Sequence, residues 1–180
     1  RMGQLKANGA IIGFVDDFVA SLSLDCELGG VSADLQLQLG QGESNAFNGE
    51  IELLDFDVGR FLNVDIISKS KASLRINGKG NSIDNIFAEL NATASYLDIN
   101  QYSAKNWVVS GTFKDHFFDG ALSVVDKALD LSFNGKIDLN KEAYQYSFIS
   151  HLKHIDLTKL GLYQKPLITS GFVNMDFSAS

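Results

Sequence analysis

Apolar residues fall on every second position through most of this chain, with polar residues between them. The rhythm is clearest from Trp107 to Leu139. It runs Trp107, Val109, Gly111 and Phe113, then Phe118, Gly120, Leu122 and Val124, then Leu129, Leu131, Phe133, Ile137 and Leu139. Successive side chains of an extended strand leave opposite sides of the pleat, so a period of two makes one face apolar and the other wet. The connectors around Asp115-His116 and Asp126-Lys127 are short and polar, and the three runs read as an antiparallel meander.

The rest of the chain follows suit. Leu5, Ala7, Gly9 and Ile11 form one side of a first strand that stops at Asp16-Asp17. Phe18, Ala20, Leu22, Leu24, Cys26 and Leu28 come next; after a turn predicted at Gly29-Gly30, Val31, Ala33, Leu35, Leu37 and Leu39 carry the pattern. Glycine supplies the positive φ that a two-residue hairpin turn needs. Beyond the polar loop Gly40 to Ser44, Phe47, Gly49, Ile51 and Leu53 make another strand, and Ala72, Leu74 and Ile76 another. Asn77-Gly78-Lys79-Gly80 is predicted to be a hairpin turn. Even positions from Ile86 to Ala94 are again apolar, and Tyr96, Leu97, Ile99 and Tyr102 lead less regularly to the meander. After a turn at Asn140-Lys141-Glu142 come Tyr144, Tyr146, Phe148 and Leu152, giving ten or so strands.

The period changes at Asp55 to Leu62. Phe56 with Arg60, and Val58 with Phe61 and Leu62, suit one or two helical turns after an Asp cap. Ile155 to Leu162 resembles that stretch, and each copy follows one strand and leads into another, the second through Leu167, Thr169, Gly171, Val173, Met175 and Phe177. These weak repeats, near 45–80 and 144–180, suggest an elongating architecture built from similar units.

Composition sharpens the picture. Thirteen Phe, five Tyr and sixteen Gly against one Pro favour strands and tight turns. The 180 residues suit one unit, 1–180, with one sizeable apolar layer. A formal charge of -7 repels phosphate backbones, so no nucleic-acid partner is expected. A lone cysteine, Cys26, forms no intramolecular disulfide, and its register predicts a small core residue. No apolar run approaches the ~20 residues of a membrane span. Both ends are in strand-like sequence, and the chain is expected to be an internal piece of a longer protein, with any targeting signal elsewhere.

Catalytic chemistry is sparse. His151 and His154 are three apart, and on a regular strand such residues face opposite sides; no clustered carboxylate or thiol completes a metal site, and no metal or other cofactor is expected. His116 lies in the Asp115-His116 turn and reads as solvated. Neither a nucleophile elbow nor a phosphate-binding glycine loop is present, and Asn77 to Gly80 lacks the third glycine and the helix of a nucleotide fingerprint. Asn91-Ala92-Thr93 has the form of a glycosylation acceptor inside a strand. Asp16-Asp17 and Asp55 with Asp57 are better explained as turn and cap residues than as an acid and its base. No enzyme is expected.

The apolar face remains. If the sheet closes into a sandwich, that face is only a core; if it stays open, it exposes more apolar surface than a soluble monomer tolerates, and a partner or lipid must cover it. Periodicity does not choose between the two.

Several stretches carry a family likeness. They are Asp57-Val58-Gly59-Arg60-Phe61-Leu62; Asn77-Gly78-Lys79-Gly80 followed by Ser82-Ile83-Asp84-Asn85; Tyr102 before Trp107-Val108-Val109-Ser110-Gly111; and Phe118 to Val124 leading to Leu129 to Gly135. With these the chain resembles the TamB family of translocation and assembly proteins, relatives of the AsmA-like proteins, in the form found in Bacteroidetes-type bacteria. The resemblance implies an all-β fold: an elongated antiparallel sheet curved into an open groove, with one or two short helical turns. It implies a periplasmic setting, with the full-length protein anchored in the inner membrane. It further implies phospholipid acyl chains as cargo, a role in outer-membrane biogenesis, and an outer-membrane barrel partner of the TamA or BamA type. On that reading the groove is lined by Leu22, Leu24, Leu35, Leu37, Leu122, Leu129, Leu131, Phe133 and Phe148. The alternative is a chaperone or docking module that receives outer-membrane protein segments on a strand edge. A third reading is a sandwich that binds glycans through Trp107 and Tyr96.

Overall fold

The computed structural model describes residues 4–40, 44–82, 84–138 and 144–179. They form strands β1 (Lys6–Gly13), β2 (Asp17–Cys26), β3 (Gly29–Gln38), β4 (Ala46–Asp57), β5 (Ile67–Lys79), β6 (Phe87–Ile99), β7 (Tyr102–Lys114), β8 (Phe117–Val125), β9 (Leu129–Asp138), β10 (Tyr144–Asp156) and β11 (Ile168–Ala179). One short helix, α1 (Val58–Leu62), joins β4 to β5. The strands make a single antiparallel sheet in chain order, and the outer strands β1 and β11 do not meet. The expected all-β architecture is therefore present as one open, curved layer. Among the described residues there is one sheet and no second one packed on it, the open arrangement and not the sandwich.

Register turns the period-two pattern into a surface. Antiparallel partners project from the same face. One row runs Leu24, Val31, Leu53, Ala72, Ala94, Trp107, Val124, Leu131, Leu152. The next runs Leu22, Ala33, Ile51, Leu74, Ala92, Val109, Leu122, Phe133 and ends at Ser150 on β10. On the opposite face the corresponding row is Asp34, Glu50, Arg75, Asn91, Ser110, Ala121, Asn134. At ~4.8 Å between strands the apolar face extends about 50 Å across the sheet.

A third inner row contains Leu35, Gly49, Ile76, Leu90, Gly111, Gly120, Gly135 and Phe148. Its glycines make room for aromatic rings from their neighbours. A Cβ on Gly120 would lie 2.8 Å from Phe118 Cζ and 2.3 Å from the Ser110 carbonyl oxygen. One on Gly111 would lie 2.9 Å from Phe118 Cε2. The Phe118 ring thus lies along the glycine pair instead of standing off the sheet, and the Phe133 and Phe148 rings pack on each other with centroids 5.0 Å apart.

One end of the sheet is closed. There the β4–β5 and β10–β11 connections each make a helical turn with the same hardware. The Asp57 carboxylate accepts from the Arg60 N–H at 2.9 Å, and the Asp156 carboxylate from the Lys159 N–H at 3.0 Å. Each turn ends in a left-handed residue, Asn63 or Gly161, followed by a bond from Val64 N–H to the Gly59 oxygen or from Leu162 N–H to the Leu157 oxygen. Leu160, only 1% exposed, packs with Ile99, Ala104, Val124, Ala128 and Leu129, against Trp107, Leu131 and Leu152 of the inner face. Asn100 Nδ2 donates to the Leu160 oxygen at 2.8 Å, and the Thr158 hydroxyl donates to the Lys165 oxygen at 2.7 Å, tying the loop down. On the first copy Gly59 is buried against β5, where a Cβ would meet the Ile67 oxygen at 1.8 Å.

Several expectations need correction. The β2–β3 hairpin turns at Glu27-Leu28, because Cys26 pairs with Gly29 and both glycines belong to β3. Gly29 is required for another reason: at φ +124° its Cα faces the Asp55–Phe56 backbone, where a Cβ would sit 2.7 Å from Phe56 Cα. Asn77 and Gly78 are strand residues, and the turn follows Lys79; Gly78 gives way to the Phe47 ring, whose Cζ would be 2.8 Å from a Cβ. Cys26 is half-buried at a strand end, with its thiol 3.6 Å from the Gly29 oxygen, and is not a core residue. The turn at Asn140-Lys141-Glu142, the strand end Leu139, and residues Gln41 to Glu43 and Ile83 lie outside the described residues.

Leu160→Ala should lower unfolding stability by about 2–5 kcal/mol in a denaturant titration, because it empties the middle of the compact core at the closed end. Gly120→Val should be at least as damaging, since the added atoms meet backbone as well as the Phe118 ring; an unchanged midpoint would contradict this packing.

Candidate functional site

Among the described residues the sheet is a single layer, so its apolar face is left without a covering layer. Leu24, Leu35, Leu37, Leu122, Leu131, Phe133 and Phe148 are half-buried on it, and Leu22 is 41% exposed. Neighbouring side chains in the same row supply that partial burial. Leu129 differs: at 5% exposed it belongs to the closed end, as part of the core beneath Leu160. Leu131 sits at the border, on the inner face but packed on that core. Missing from the expected set are Ile51, Leu74, Ile76, Leu90 and Val109, which the register brings into the same rows. Their alternation was visible, but their alignment with the other strands needed the register.

Two tyrosine–carboxylate bonds hold the closed end. The Tyr102 hydroxyl donates to Asp126, whose oxygens also accept from the Ala128 N–H at 2.9 Å and the Lys105 N–H at 3.2 Å. The Tyr96 hydroxyl donates to Asp55, which has φ 51° at a bulge in β4. Both tyrosines are pushed up to about 12, first by the hydrogen bond to the carboxylate and then by burial. Burial raises the Asp126 carboxyl, but the bonds from Tyr102, Ala128 and Lys105 outweigh it and leave its pKa below the ordinary value. The Asp156 carboxyl is likewise lowered, chiefly by the Lys159 N–H.

The polar face offers little chemistry. A bulge between Leu152 and His154 places His154 opposite Asp130 and His151 opposite Ser132. Those partners are two apart on β9, so the two histidines share a face, contrary to the expectation for a regular strand. No group of three or more metal-ligating side chains occurs among the described residues. His116 is paired with Asp84 at 3.0 Å and is not simply solvated. Asp17 accepts from Gln36 and Gln38 at 3.2 Å each, a structural use. A shallow depression of about 300 Å³ on this face is lined by Ser110, Ser123, Ser132, Asn134 and His151, whose ring lies edge-on to Phe172. Trp107 is half-buried against the core beneath Leu160, with Nε1 donating to the Ala104 oxygen at 2.9 Å. Among the described residues no helix is long and apolar enough to cross a membrane.

No protein-family model, curated protein or solved structure matches the chain.

The tyrosine bonds set a pH limit. A folded-state pKa raised above the ordinary ~10 of tyrosine stabilises the fold below that value, and the benefit is lost as pH rises from about 10 towards about 12. The lowered Asp126 works the other way, its contribution fading as pH falls below about 4. The Tyr96→Phe, Tyr102→Phe double variant should be less stable at pH 8 and should lose less further stability by about pH 11.5 than the parent, as read from urea midpoints. Equal losses in the two proteins would remove the tyrosines as the cause.

Proposed function

We propose that this chain is a non-enzymatic lipid-conduit segment whose inner face holds phospholipid acyl chains. The observation that supports the reading is the set of apolar rows, which run from β2 to β9 with no polar side chain and have no second layer over them away from the closed end. Water against such a face is unfavourable, and each CH₂ of a fatty tail that replaces it contributes ~0.8 kcal/mol. The contacts are shallow and repeat from strand to strand, so a tail is retained while free to move sideways. With the TamB-like motifs, the reading extends to a periplasmic protein that supports phospholipid movement between inner and outer membranes and outer-membrane biogenesis. Its larger whole would be anchored in the inner membrane and work with a barrel of the TamA or BamA type.

A second reading draws on the outer edges of β1 and β11, the first and last strands of the sheet: extended segments of outer-membrane proteins add to these edges, in a chaperone or docking role. Ile11 and Ile12 on β1 are 74% and 75% exposed, and β1 carries only one charge, Lys6, so its edge is poorly protected against pairing.

Lipid transfer between donor and acceptor vesicles tests the first reading. Leu122→Glu is preferable to Leu131→Glu because Leu122 lies among Val109 and Phe133 in mid-face, away from the core under Leu160. The variant should keep the parent's circular dichroism and lose at least about tenfold in transfer rate, since a buried carboxylate is costly beside a tail. A folded variant with undiminished transfer would contradict the groove, and strand-segment adducts at β1 without lipid adducts would favour the docking role.

A further inference from the structure

The sheet's two ends differ. The closed end carries the helical turns; at the other end lie the β1–β2, β3–β4, β5–β6 and β7–β8 connections. Most of the described residues there are polar: Gly40, Ser44 and Asn45; Asn81, Ser82, Asp84 and Asn85; Asp115 and His116. The β1–β2 connection is the exception. Its tip is Phe14-Val15, 81% and 92% exposed, following Ile11 and Ile12.

From this tip we infer a membrane-contact site: Phe14 and Val15 insert into the interfacial layer of a bilayer and set the open end of the groove against it. The tip is firmly based. The Phe14 N–H donates to the Asp17 oxygen at 2.8 Å, the Leu39 N–H donates to the Asp16 oxygen at 2.7 Å, and the Asp17 carboxylate is turned back to Gln36 and Gln38 on β3. Two large apolar side chains therefore project from a fixed turn, with the Asp17 carboxylate held back against β3. An added strand does not account for them. Both residues lie beyond Gly13, the last residue of β1, so a second copy or an extended segment pairing along β1 covers the strand and leaves the tip in water. A bilayer covers the tip itself. Charge selects the kind of bilayer: Asp16 and Asp17 adjoin the tip and the chain carries -7 overall, so zwitterionic headgroups are favoured and attraction to anionic lipid is absent. This contact does not depend on what fills the groove.

Flotation with vesicles of phosphatidylcholine and phosphatidylethanolamine tests it, using the whole chain. The Phe14→Ser, Val15→Ser variant should lose at least about tenfold in bound fraction, because it removes the apolar area that enters the interface. Its ability to hold a fluorescent fatty tail in vesicle-free solution should stay at the parent's level, which separates this site from the groove. Serines in place of Asp115 and His116 should leave flotation unchanged. The inference is overturned if the parent does not float, if the tip variant floats as well as the parent, or if binding requires anionic lipid and disappears with salt. It is also overturned if the tip substitutions only dissolve a dimer of the chain.

Discussion

Everything in this molecule depends on strand register. In an antiparallel ladder a slip of one residue moves all side chains of a strand to the other face. Here seven consecutive strand pairings, from β2 to β9, keep apolar against apolar: Leu22 beside Ala33, Ile51, Leu74, Ala92, Val109, Leu122 and Phe133, while Glu50 meets Arg75 on the reverse. A single-layer sheet has no opposing sheet to enforce that choice, so the pairing rows enforce it among themselves.

Cohesion is distributed unevenly. The compact core sits at one end, where Leu160 descends onto Val124, Ala128 and Leu129 and the Asp57 and Asp156 caps hold two similar turns. Away from it, backbone ladders and flat aromatic packing over glycines carry the structure, as with Phe118 along Gly111 and Gly120. Local opening is therefore expected to be easier in mid-face than at the closed end, a gradient that suits a surface whose occupant enters and leaves.

The strands and the apolar face were legible in alternation alone, because burial on one side of a pleat writes a period of two directly into the chain. The caps at Asp57 and Asp156 were legible as a change of period. Other features were not. Leu28 occupies a turn without turn chemistry because its side chain is buried, while the glycines beside it answer to the Asp55–Phe56 backbone. Gly78 looked like a turn residue but yields space to Phe47 from the neighbouring strand. The β10 bulge that reunites His151 and His154 on one face arises from pairing with β9 and leaves no local signature. In each case the missing information was the neighbour across the sheet. The same holds for the groove: Leu129 follows the alternation of the lining residues, yet the descending Leu160 makes it core.

The proposed conduit role requires that the apolar face be unsealed and take fatty tails. A photo-cross-linking amino acid placed at Leu90 on the inner face, and in a separate protein at Asn91 on the reverse, examines it directly in the presence of phospholipid. Phospholipid adducts should form at position 90 and be scarce at position 91. Adducts at position 90 that join it only to other residues of the same chain, or equal lipid labelling at both positions, would contradict the open groove.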